Sequence, residues 1–175
     1  MTSLQTDYDR LLSQASKDIY QGYDKLSTDD KLAFLYYVYE AMGASVTPAA
    51  PIAADPEIAN PVIEAIYQQS AEEQLNAMRQ IVNCEDTPIS RAYGGLIVNA
   101  QLLVWYVWAE EMGNRVVDIP GDYTPSQGVQ QVLDQIQGLE FQEQISLLRE
   151  MATHMGHSDV KPAPTQAETG VTPSL

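Results

Sequence analysis

His154 and His157 stand three residues apart, a spacing that could put two imidazoles on one metal ion. No third ligand follows at a recognisable distance, and a helix macrodipole by itself favours histidine near a C-terminus, so no metal is expected. Cys84, the single cysteine, could serve as a nucleophile if it met a base. Glu85 and Asp86 follow it, however, and their negative charge should hold the proton on sulfur. The pairs Glu72–Glu73 and Glu110–Glu111 offer acid and base, but adjacent residues on a helix point in different directions. Neither a phosphate-cradling glycine loop nor a nucleophile elbow is present. The chain is expected not to be an enzyme.

Aromatic residues form the denser pattern. Phe34, Tyr36, Tyr37 and Tyr39 crowd one segment, Trp105, Tyr106 and Trp108 another, and each segment ends in a methionine, Met42 or Met112. Ordinary core packing explains any one of these rings. Two indoles and several phenols on facing helices also demand polar partners, which a leucine core avoids, so a wall for an extended conjugated ligand fits them. The ten Tyr against two Phe suit a pocket wall near water, because tyrosine joins an apolar ring to a polar tip.

Helices must carry these residues. Apolar positions recur at helical spacing from Leu4, Tyr8 and Leu11 onward, and no stretch sustains the alternation of a half-buried strand. The fold class is therefore all-α, with helices expected over 5–20, 28–43, 57–69, 71–83, 88–112, 125–137 and 140–155. Gly94 and Gly95 should break the fifth. Ser27 with Asp30, Ser70 with Glu73 and Thr124 with Gln127 match the reciprocal capping pattern, and Pro88 and Pro125 fit first helical turns. Gly43, Gly113, Gly138 and Gly156 mark ends. The connection Asn114 to Tyr123 is apolar for a surface loop and should pack on something. One helical domain is expected over 1–157, with a disordered tail over 158–175.

With 24 acidic against nine basic residues, the formal charge of −15 repels phosphate backbones and anionic lipids, which argues against nucleic acid as a partner. The most apolar stretch, Leu96 to Ala109, is too short for the roughly 20 residues of a membrane span, so no integral membrane segment is expected. The mean hydropathy of −0.23, the single cysteine and a start without a secretory pattern lead to a cytoplasmic expectation.

Several ordered stretches carry a resemblance: LAFLYYVYEAMG from Leu32, AAP at Ala49 to Pro51, AEEQLNAM ending at Met78 and DTP from Asp86. They continue with Arg91, Tyr93 and Asn99, then QLLVWYVWAEEM from Gln101, IPGDY from Ile119, IQGLE from Ile136 and LREMATHMG from Leu148. Between about Tyr23 and Gly156 the chain resembles the carotenoid-binding N-terminal domain of the orange carotenoid protein and its stand-alone relatives, the helical carotenoid proteins of cyanobacteria. The resemblance implies two discontinuous four-helix bundles with a keto-carotenoid such as canthaxanthin or echinenone between them. Such a pigment is about as long as a 20-residue helix, roughly 30 Å. The implied pocket comprises Leu32, Leu35, Tyr36 and Tyr39, then Met78, then Leu102, Trp105, Tyr106, Ala109 and Met112. Ile119, Pro120 and Tyr123 from the loop, with Ile145 and Arg149 from the last helix, complete it. Tyr36 stands where the photoactive protein has tryptophan, and Trp108 where it has leucine.

The function implied is constitutive photoprotection, with the polyene quenching singlet oxygen. The chain ends near the point where the full-length protein continues into a second domain, so no light switch is expected. A second reading is a carrier that exchanges pigment with a partner resembling that C-terminal domain. A third is docking on the phycobilisome at the thylakoid cytosolic face. Arg149 matches an arginine the family uses there, although the scarcity of basic residues weighs against it.

Overall fold

Ser13 holds extended backbone, and its hydroxyl accepts the Ser16 amide at 3.1 Å, so a helix begins at Gln14. This computed structural model describes residues 13–46 and 56–159. The described residues form eight helices: α1 (Gln14–Asp24), α2 (Thr28–Val46), α3 (Pro56–Ala65), α4 (Ala71–Val82), α5 (Pro88–Gly94), α6 (Val98–Glu111), α7 (Gln127–Gln137) and α8 (Phe141–Thr153). The all-α expectation is met. Of the expected helix 5–20, residues 5–12 lie outside the described residues; α1 begins after the extended Ser13 cap and runs beyond residue 20 to Asp24. Residues 160–175, most of the expected tail, and the AAP stretch lie outside the described residues.

Caps explain most boundaries. Ser70 and Glu73 make the full reciprocal box at the start of α4, and Thr87 caps α5 with Pro88 in its first turn. Ser27 accepts the Asp30 amide at 3.2 Å, but the Asp30 carboxylate turns elsewhere, to the Tyr123 hydroxyl and the Ser126 amide. The box expected at Thr124 is replaced by an N-cap at Ser126, so Pro125 precedes the helix. α2 runs on through Gly43, because one glycine costs a helix only about 1 kcal/mol and α2 buries Tyr39 and Met42 on its way. α3 stops at Ala65 and not near 69; bonds from Tyr67 to Glu64 and from Gln69 to Ile66 tighten the chain into a turn before the Ser70 cap.

The expected break in the fifth helix falls between Gly94 and Val98. Close approach dictates the first glycine: a Cβ on Gly94 would sit 2.3 Å from the His157 carbonyl oxygen. Gly156 accepts φ +80° nearby and donates its amide to Ile81 at 2.8 Å.

Two groups of helices result. α1, α2, α7 and α8 pack together through α1–α7, α2–α7 and α1–α8, although they come from both ends of the described chain. The consecutive helices α3 to α6 pack through α3–α6, α3–α5 and α4–α5. The seam between the groups is made by α6 against α2 and α8, and by α4 against α2. Leu103, Val104, Trp105 and Trp108 of α6 are all buried, which explains the near-continuous apolar run of that helix at the centre.

Candidate functional site

A groove opens along this seam. About 690 Å³ along it is unfilled by protein atoms, a figure that includes space open to solvent. α2 supplies Asp29, Leu32, Ala33, Leu35 and Tyr36, residues one helical turn apart on one face. α4 adds Leu75, Met78 and Arg79; α6 adds Trp105, Trp108, Ala109 and Met112. The connection after α6 closes the side with Val117, Asp118, Ile119, Pro120 and Tyr123, so the apolar loop packs where apolar residues belong.

Each wall is held by polar bonds outside the cavity. The Trp105 indole N–H donates to the Tyr93 hydroxyl at 2.9 Å, and that hydroxyl donates to the Ala152 carbonyl at 2.8 Å. The Trp108 indole donates to the Ile63 carbonyl at 3.0 Å, satisfying an acceptor that the end of α3 leaves open. Buried Gln74 donates to the carbonyls of Ile66 and Arg115, and its own carbonyl accepts the Val117 amide at 2.7 Å, which fixes the loop's entry to the groove. At the loop's far end Tyr123 donates to Asp30.

Electrostatics follow this packing. Burial pushes the Asp30 carboxyl up, but the bonds from Tyr123, Ser126 and Ser27 outweigh it and hold the group below the ordinary carboxylate value. Tyr123 is pushed up to about 12 by burial and by the Asp30 charge. Tyr36 is raised by burial first and then by Glu40 and Asp118.

The groove thus brings together Leu32, Leu35, Tyr36, Met78, Trp105, Ala109, Met112, Ile119, Pro120 and Tyr123 from the pocket inferred by resemblance. Tyr39, Leu102, Tyr106, Ile145 and Arg149 do not line it. Tyr39 is in the core, where burial raises its pKa. Leu102, Tyr106 and Ile145 are buried as well, and the Tyr106 hydroxyl donates to Glu110 at 2.7 Å. Arg149 donates to Asn99 at 3.2 Å. Leu102 and Tyr106 nevertheless continue the Ala109 stripe along α6, and Ile145 and Arg149 lie on α8, which packs on it.

Asp29, Ala33, Leu75, Arg79, Val117 and Asp118 were missed. Their signal is helical spacing: Asp29 precedes Leu32 by three residues, and Leu75 precedes Met78 by three. Trp108 stood out in the aromatic cluster and as a departure from the family pattern, but was not among the pocket residues implied by resemblance.

The residues first weighed for chemistry lie apart from the groove. His154 approaches Glu150 at 3.5 Å and His157 approaches Asp159 at 3.2 Å. Among the described residues no three His, Cys, Asp or Glu side chains are placed to hold a metal. The Cys84 thiol is raised, as its acidic neighbours suggested, but the cause is burial of the sulfur, with Lys31 pulling the other way. None of the helices described is long and apolar enough to cross a membrane.

The family profile described as "Orange carotenoid protein, N-terminal" matches residues 9–158. The chain belongs to this orange carotenoid protein N-terminal family. An orange carotenoid-binding domain-containing protein of Nostoc sp. is 42% identical over 77% of this chain and 79% of its own length. The orange carotenoid-binding protein of Synechocystis sp. is 35% identical over 86% of this chain, which spans about half, 48%, of that longer relative.

Among solved structures, the red carotenoid protein of Anabaena (Nostoc) sp. PCC 7120 binding canthaxanthin superposes with a TM-score of 0.73 at 32% identity. The alignment covers 82% of this chain and 99% of that one. The orange carotenoid protein of the same organism, also binding canthaxanthin, gives 0.75 at 31% identity, over 84% of this chain and 47% of its own. The family's helical fold is the fold described above.

Proposed function

We propose that this chain binds a keto-carotenoid, canthaxanthin or echinenone, and that the bound polyene protects by quenching singlet oxygen, losing the energy as heat. The observation that carries this reading is an apolar groove along the seam of two helical groups, in a family whose solved members include canthaxanthin complexes. α2 has 19 residues and so extends roughly 28 Å, close to the length of the pigment. Tyr36, Trp105 and Trp108 offer ring faces to a conjugated chain, and Met78 and Met112 fill irregular gaps beside it.

The groove takes one part of the pigment. The remainder lies between α6 and α8, against Leu102, Tyr106, Ile145 and Arg149, where the buried seam opens to admit it. On this reading the bound pigment acts constitutively.

Expression in a host that makes canthaxanthin tests the reading. A red-shifted visible band that comigrates with the chain on size exclusion, and loss of singlet-oxygen phosphorescence in its presence, are the expected results. A folded, colourless product rejects it.

One observation favours a second reading. Part of the groove is open to solvent, which suits release of the pigment to a carotenoid-carrying partner that resembles the family's C-terminal domain. Colour transfer on mixing with such a partner distinguishes a carrier from a dedicated quencher.

A further inference from the structure

The groove is not apolar throughout. Arg79 and Asp29 both line it, and they form a two-point ion pair, Nε to Oδ1 at 2.8 Å and Nη2 to Oδ2 at 3.0 Å. Nη1 donates to Asn76 at 3.2 Å. A guanidinium carries five N–H groups, so two remain beyond these three bonds. Stability is a weak reason for placing such a pair in this wall, because the side chains keep 37% and 42% exposure and half-exposed ion pairs contribute little.

The pair suits recognition better. Asp29 neutralises Arg79, so this part of the wall offers N–H dipoles without a net positive charge. Asp118 on the same groove and the formal charge of −15 oppose an anionic head group. The ligand chemistry that matches is a neutral oxygen acceptor on an otherwise apolar molecule.

Resting on the carotenoid reading above, we propose that Arg79 is a specificity-determining residue. It donates a hydrogen bond to the carbonyl oxygen on a terminal ring and so selects keto-carotenoids over hydrocarbon carotenes of equal length. Asp29 is its positioning residue, holding the guanidinium through Nε and Nη2. Selection by a polar group works through the penalty it imposes: a carotene that covers Arg79 strips water from its N–H groups and returns no acceptor.

Competitive loading of the full chain with canthaxanthin and β-carotene tests this. The wild type is expected to favour canthaxanthin by about tenfold or more, the effect of one hydrogen bond to a charged group. Arg79→Met is expected to take up both pigments alike, and its retained β-carotene uptake reports an intact fold. A second measurement needs no variant: the carbonyl stretch of bound canthaxanthin shifts to lower frequency than in an aprotic solvent. A preference that persists in Arg79→Met, or an unshifted carbonyl in the wild type, overturns the assignment of Arg79 while leaving pigment binding intact. Failure of the wild type to take up either pigment overturns the carotenoid reading and this inference with it.

Discussion

The indole planes of Trp105 and Trp108 stand at 88° with ring centroids 5.4 Å apart, the edge of one ring against the face of the other. Their N–H groups donate to different helices, Trp105 to Tyr93 on α5 and Trp108 to Ile63 on α3. The pair therefore ties α6 to two neighbours and also forms groove wall. Side chains that carry both duties cannot be truncated for one alone.

Trp108→Leu should show this. The change leaves the Ile63 carbonyl without its donor and opens space beside Trp105, at a combined cost of about 2–4 kcal/mol. The urea midpoint should fall accordingly with an unchanged slope. An unchanged midpoint would mean that the indole contributes nothing the leucine cannot replace.

Helix class and the glycine break were legible in the sequence, because burial on a helix leaves a 3.6-residue pattern and close approaches demand glycine. Gly94 illustrates the second: the sequence offers a break there, but only the fold reveals that the His157 carbonyl is the reason. The end of α4 carried no such mark. Cys84 occupies φ +55° at that end, a left-handed cap made by a residue that does not advertise it. Thr124 misled for a related reason, since the amide at the start of α7 is held by Asp30 from another helix, a contact between residues 96 positions apart.

The groove divides in the same way. Tyr36, Met78 and Trp105 were found through resemblance, while Arg79 and Asp29 were not: helical spacing sets each beside a groove residue, but nothing in the sequence marks their pairing across 50 residues. Tyr39 shows the limit of helical spacing alone: it lies three residues beyond Tyr36 yet belongs to the core.

Gly94→Ala should destabilise far more than the few tenths of a kcal/mol typical of a surface change. The added methyl meets backbone, His157 O at 2.3 Å and His157 C at 3.0 Å, and backbone cannot swing aside as a side-chain end can. A loss of about 2–4 kcal/mol is expected. Gly95→Ala is the control, since its nearest neighbours are at 3.6 Å and its φ is −80°. Equal thermal midpoints for the two variants would refute the close-packing argument.

Gln74→Leu removes four bonds at once, to Ile66 O, Gln69 O, Arg115 O and Val117 N. Those backbone groups then compete for water or stay unpaired, and about 2–4 kcal/mol is expected to be lost. The loop leading to Ile119 and Pro120 should loosen with it. Amide hydrogen exchange at Val117 and its neighbours should accelerate more than exchange in α7, and uniform acceleration would show instead that the loss is global.

Tyr123 and Asp30 fasten the other end of that loop, and their titration sets a window for it. Asp30 titrates lower in the fold than unfolded, so its contribution is present above the usual carboxylate value of about 3.9 and is lost as pH falls through the folded value. Tyr123 moves the other way. Its phenol is raised from 10 to about 12, so its contribution is intact below pH 10 and is lost as pH rises toward 12. Tyr123→Phe should cost about 1–2 kcal/mol near neutral pH, and the gap between wild type and variant should shrink at both extremes. Denaturation of both proteins at several pH values from 3 to about 11.5 measures that gap directly. A gap of constant size would mean that packing of the Tyr123 ring, and not its bond to Asp30, holds the loop over the groove.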